Sequence, residues 1–194
     1  MSWPSTALDS RAVTLTVADV RETKAELGAL QQLLDHSRAE ATEHLRGIID
    51  DRRALSAADI TALLTGMKVA ALATVTARGE PRISAVDGHF LHGTWTWSTS
   101  GTAAKARHLE VRPAVSIAHI DNEDLAVFAH GTAERLDTSD PWWDETLAHW
   151  TAHYGGSPLE WGDDIRIYRL AASWMVGYAA DRKQLLMSRG LSRT

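Results

Sequence analysis

Residues 69–87 read VAALATVTARGEPRISAVD, and this stretch decides the fold. Val69 to Thr76 is almost entirely apolar or small, and its β-branched residues suit a strand. Ala77-Arg78-Gly79-Glu80 has turn chemistry. Pro81 to Asp87 then alternates polar and apolar, as a half-buried strand does. Two such runs joined by a Gly-containing turn predict a β-hairpin.

Working outward toward the C-terminus, the same period continues. His92-Gly93 turns the chain into Thr94 to Thr99, whose Trp95 and Trp97 alternate with polar residues. Thr102 to Val111 has helical character and Pro113 closes it. Ala114 to Ile120 and Leu125 to Leu136 are strands around the Asp121-Asn122-Glu123-Asp124 turn. Asp140-Pro141 starts a helix with Pro at its first position, running to about Tyr154 before Gly155-Gly156. Ile165 to Leu170 and Trp174 to Tyr178 read as two closing strands, and the tail from Asp181 as loose. Short strands at close spacing, with one helix between the third and fourth, predict a mainly β chain with helices, built on a small barrel.

Working outward toward the N-terminus, the period becomes helical. Ser56 and Asp59 have capping-box spacing and predict a short helix to Leu64, ended by Gly66. Before it, Asp19 and Glu22 have the same spacing and open a long helical stretch to about Asp51. Leu27, Leu30, Leu34, Ala41, Leu45 and Ile48 recur at steps of three, four and seven, which places them on one stripe. The stripe must dock on the barrel or on the same helix of a second copy, and contacts between copies are the expectation. Three regions result: a helical extension over 1–56, a barrel over 57–180 and a tail over 181–194.

Composition narrows the function classes. The chain has 194 residues, 44% hydrophobic and 23% charged, the balance of an ordinary globular protein. A net charge of −5 is not the basic footprint of a nucleic-acid binder, so no nucleic-acid partner is expected. With no cysteine, disulfides, thiolate metal sites and cysteine nucleophiles are excluded. No run approaches the roughly 18 apolar residues of a membrane span, and a cytoplasmic protein is expected. Eight tryptophans stand against two phenylalanines, with a Trp-rich segment from Trp142 to Trp161. These rings serve packing or provide a flat apolar wall for a ring system.

The chemistry-bearing segment is WSTSGTAAKARHLEVRP, residues 97–113. It combines a strand end, a Gly turn and a helix start. Backbone N–H groups at a helix N-terminus attract anions. Ser98, Thr99, Ser100 and Thr102 add hydroxyls, and Lys105 and Arg107 add positive charge. The set forms a phosphate cradle without a Walker loop, although Ser or Thr before a helix also serves simply as a cap.

The hairpin LATVTARGEPRISAVDGHF, the segment STSGTAAKARHLEVRPAVSI and the segment IRIYRLAASWMVGYA occur in the order and spacing of the pyridoxamine 5'-phosphate oxidase-like split-barrel family, which the chain resembles over roughly residues 58–180. Ser84, Val86, His89-Phe90 and Lys105-Ala106-Arg107 are most similar to its actinobacterial flavin and deazaflavin oxidoreductases. The resemblance implies a six-stranded split β-barrel that binds coenzyme F-420 or FMN and moves a hydride to a small-molecule substrate. It also implies a homodimer with the cofactor groove between subunits. By the same resemblance Arg82 would reach the cofactor phosphate, and Ser84 and Val86 would line the ring. Ser98 and Thr99 would contact the phosphate or ribityl chain. Lys105 would pair with the phosphate with Arg107 in support, and Trp174 would belong to the partner's side of the pocket. No catalytic side chain is implied, because the cofactor carries the hydride chemistry.

Two departures bear on the cofactor. Ala104 and Asp87 stand where pyridoxamine oxidases carry Arg and Lys. Fewer cations argue against pyridoxamine oxidation and favour F-420 over FMN. His108 replaces a common Asn and has no evident role. Nine histidines open a second reading, a haem-binding barrel with a histidine ligand, because some relatives of this barrel hold haem. No H-E-x-x-H metal motif occurs. A third reading is a non-catalytic cofactor-binding protein on the same barrel.

Overall fold

A computed structural model describes residues 22–191. Six antiparallel strands close into a barrel: β1 Lys68–Val75, β2 Pro81–Leu91, β3 Thr94–Ser100, β4 Ala114–Asp121, β5 Leu125–Leu136 and β6 Ile165–Ala179, in the spatial order β1-β2-β3-β6-β5-β4. The predicted hairpin is present, with Val75 opposite Pro81 and Gly79 at φ 80° in its turn. Ala70, Leu72, Val86, Phe90, Trp95, Trp97, Ile117, Val127, Ala129, Leu170 and Met175 fill the interior. Alternation puts their strand neighbours outside.

The two expected closing strands are one. β6 runs unbroken and pairs with β5 from Leu125↔Ala179 to Leu136↔Ile167, with a bulge at His130/Gly131. At the bulge a side chain on Gly131 would run into the backbone of Ala171 and Ala172, so the close approach of the strands requires glycine there.

β3 pairs only with Ile165–Arg169 of β6, which leaves the far half of β6 without a strand on that side. The N-terminal region covers this split. The continuous helix expected up to Asp51 is two helices, α1 Lys24–Ala39 and α2 Glu43–Ile48, and Thr23 with Glu26 forms the capping box of α1. Asp19, the expected cap, lies outside the described residues. Leu30 and Leu34 of the stripe join the barrel's own core, so the stripe packs on its own barrel rather than waiting for a second copy. Ser37 Oγ accepts the Met175 N–H at 2.9 Å and donates to Leu33 O at 2.7 Å. Beyond α2, Leu55 N–H donates to Gly177 O and Ala179 N–H donates to Arg53 O, both at 2.9 Å. Helix and extended segment together satisfy an edge that would otherwise invite mispairing.

Four further α-helices lie among the described residues. α3 Ala57–Leu63 starts at the predicted Ser56–Asp59 capping box, and its Ile60 lies against Gly177. α4 Ala104–Val111 follows β3, and α5 Trp143–Tyr154 packs outside the barrel. The tail is not loose: α6 Arg182–Ser188 buries Leu185 in the main core, and Arg182 pairs with Asp59 at 2.8 Å. No described helix is long and apolar enough to cross a membrane.

Candidate functional site

Five of the sequence-predicted site residues gather at one end of the barrel. Ser98 and Thr99 end β3, and Lys105 and Arg107 lie on the first turns of α4. Arg82 of β2 sits directly opposite Thr74 of β1 and shares its face. Thr74 Oγ1 in turn meets His108 Nδ1 at 2.9 Å, which brings α4 and Arg82 to the same end. His108 thus has a role that the sequence did not disclose: it pins α4 to β1. Arg112 Nε donates to Val75 O at 3.0 Å and closes the other end of that helix.

No side chain caps α4. Its first backbone N–H groups therefore face outward as donors, the condition for holding an anion. Two of the three nearby cations already have protein partners. Arg82 pairs with Glu80 at 2.9 Å, and Arg107 donates to Thr102 O. Lys105 has no ion pair among the described residues. Ser100 and Thr102 hydroxyls bond each other at 2.8 Å across the turn.

The sequence reading overlooked a group of charged residues behind this turn. Gly101 N–H donates to Asp164 O at 2.7 Å, and a side chain at Gly101 would collide with the Asp164 carboxylate. Arg166 binds Asp164 at 2.8 Å and also Glu110 of α4. This network orders the turn. Its carboxylates also oppose an incoming anion on that side.

The remaining predicted residues lie elsewhere. Val86 is buried in the barrel core, so it cannot present its side chain to a ring, contrary to expectation. Ser84 is half-buried opposite Leu72. Trp174 lies nine residues along β6 from Ile165, a contour of about 30 Å. Trp174 and the α4 end therefore lie well apart along β6.

Trp174 belongs to a transverse row on the outer face. Ile83 sits opposite Ala73, Ala73 opposite Ser116, Ser116 opposite His130, and His130 opposite Trp174. His130 stacks on Trp174 with centroids 4.7 Å apart, and its Nδ1 meets Ser116 Oγ at 2.8 Å. Val69 and Ile120, on the same side, are largely exposed, and Ile83 is 75% exposed.

His92 and His119 have separate partners. His92 Nδ1 meets Glu26 at 2.7 Å and its ring stacks on Trp142 at 4.5 Å. His119 Nδ1 meets Val69 O at 2.9 Å. Among the described residues no group of three or more His, Asp or Glu is arranged to hold a metal ion.

A family model described as pyridoxamine 5'-phosphate oxidase matches residues 57–177. No curated protein matches the sequence at a significant level. Among solved structures, the conserved hypothetical protein Rv2991 of Mycobacterium tuberculosis superposes with a TM-score of 0.57 at 20% identity, covering 75% of this chain and 94% of that one. The protein Atu2129 of Agrobacterium tumefaciens gives 0.51 at 21% identity, covering 72% of this chain and 58% of that one. A FAD-binding protein from Mesorhizobium loti gives 0.50 at 19% identity, covering 66% of this chain and 98% of that one. At these identities the likeness is one of fold.

Proposed function

The chain belongs to the pyridoxamine 5'-phosphate oxidase family, and from that premise we propose that it is an oxidoreductase of the flavin or deazaflavin type, holding coenzyme F-420 or FMN by its phosphate. The observation that carries this reading is the uncapped N-terminus of α4 with Lys105 on its first turn. Exposed N–H donors and a cation without an ion pair suit a phosphate. Arg82 and Arg107 can reinforce the charge by releasing Glu80 and Thr102. Ser98 is half-buried and can offer its hydroxyl, whereas Thr99 is buried and lies on the opposite face of β3. When bound, the cofactor supplies hydride transfer to a small organic acceptor. The chain's own residues bind it, orient it and exclude water.

The reading includes a homodimer. The exposed Ile83, Val69 and Ile120 supply apolar side chains on the outer face for a contact between two copies. The distance of Trp174 from α4 supports a pocket built from two copies, with the partner contributing its outer face.

Titration of the protein with FMN and with F-420, followed by absorbance and fluorescence, tests the proposal. Binding that weakens at least tenfold in Lys105→Ala is expected. Equal affinity in the variant would remove the phosphate assignment.

A further inference from the structure

α5 is held to the barrel by a contact that the cofactor reading does not use. Its apolar face forms a small separate core with Leu91, Leu136, Trp150 and Ile167, supported by Trp143, Leu147 and Tyr154. Within that seam Trp150 Nε1 and Thr146 Oγ1 are buried without a partner. Each such orphan weakens the docking.

His89 of β2 is fully buried in the seam. Its Nδ1 meets His149 Nε2 at 3.1 Å, and its Nε2 meets Tyr154 OH at 3.0 Å. Trp150 lies against one side of its ring, centroids 5.1 Å apart. The His153 ring is equally close, at 5.1 Å. Three imidazoles therefore converge where β2 meets α5. Their arrangement does not match a metal site, so the exchangeable species they suit is the proton.

We propose that Tyr154, His89 and His149 form a proton-operated latch, which fastens α5 to the barrel while His89 is neutral and releases it when His89 takes up a proton. One N–H must lie between the two imidazoles. With His149 Nε2–H donating to His89 Nδ1, a proton added at that Nδ1 sets two N–H groups against each other and the contact is lost. The charged groups that act on His89 oppose a charge there. His149 and His153 from α5 and Lys68 from β1 all contribute like charge to it. Asp87 of β2 acts on the Tyr154 hydroxyl. Thr96 of β3 is spent on the His89 carbonyl. Release frees the segment that follows Trp142, whose ring bridges His92 and Arg169, and it uncovers the apolar seam.

Hydrogen exchange of peptides from α5, corrected for intrinsic rates, tests this in the full chain. A 12-residue helix is marginal on its own, so undocking exposes its amides. One linked proton lowers α5 protection about thirtyfold between pH 7.5 and pH 5.0, while β4 and β5 keep theirs. His89→Gln keeps a donor and an acceptor but cannot titrate, and its α5 protection stays constant over that range. The unaltered chain gives a second readout: the His89 Cε1–H resonance moves in step with the α5 amides, below the ordinary histidine range. Equal α5 protection at both pH values overturns the latch. So does a loss shared by β4 and β5, an unchanged loss in His89→Gln, or titration of His89 without a response in α5.

Discussion

His89 Nδ1 lies 3.1 Å from His149 Nε2, across the seam between β2 and α5. Burial, followed by the like charges of His149, His153 and Lys68, pushes the His89 pKa down to about 3. Below the ordinary value of about 6.5 the unfolded chain therefore takes up a proton that the folded chain resists. Stability is full above that value and falls as the pH drops toward the folded pKa. Urea unfolding should lose up to about 1.4 kcal/mol per pH unit across this window from His89 alone. A midpoint that is flat from pH 7 to pH 5 would contradict the neutral, buried state of this ring.

Ser37 satisfies a backbone donor of β6 from the last turn of α1. Ser37→Ala leaves the Met175 N–H buried without an acceptor. The expected cost is about 1–3 kcal/mol in urea or thermal unfolding. A neutral result would mean that α1 does not seal the split.

Gly177 meets α3 at close range. A Cβ built there would lie 2.8 Å from Ile60 Cδ1 and 3.4 Å from Leu55 Cδ1. Gly177→Ala should destabilise the fold by about 1–3 kcal/mol through overpacking. Ile60→Val removes the colliding methyl, so the double variant should lose less than the sum of the two singles.

Ile83 is 75% exposed at the end of the outer-face row. Ile83→Glu should leave monomer stability within about 0.5 kcal/mol, because the site is solvated. Sedimentation should show the dimer dissociating. A dimer of unchanged affinity would place the subunit contact elsewhere.

Much of the barrel was legible because period two and turn residues are local signals. The 69–87 hairpin, the Asn122 and Gly79 turns and the Ser56 cap all follow from neighbouring residues. What escaped depends on partners far away in sequence. The stripe over Leu30 and Leu34 announced a buried face but could not say that it faced the unpaired half of β6. The Ala171-Ala172-Ser173 stretch looked like a break between strands, yet β5 holds it in register by a bulge at Gly131. Leu185 in the tail had too little periodicity to predict α6, which the barrel core stabilises. At the candidate site, the Lys105 segment was legible as a strand–turn–helix. Asp164 and Arg166 were not, because they reach Gly101 and Glu110 from more than fifty residues away. His89 looked like any histidine beside the turn after the second strand until α5 covered it.

On the proposed function, the uncapped start of α4, with Lys105, holds the phosphate of a flavin-type cofactor. The most direct measurement is the absorbance spectrum of the protein purified from a host that makes F-420, repeated with Lys105→Ala. A band at about 420 nm with strong fluorescence, or at about 450 nm for FMN, is expected, reduced at least tenfold in the variant. A Soret band, or a flavin band that Lys105→Ala leaves unchanged, would contradict it.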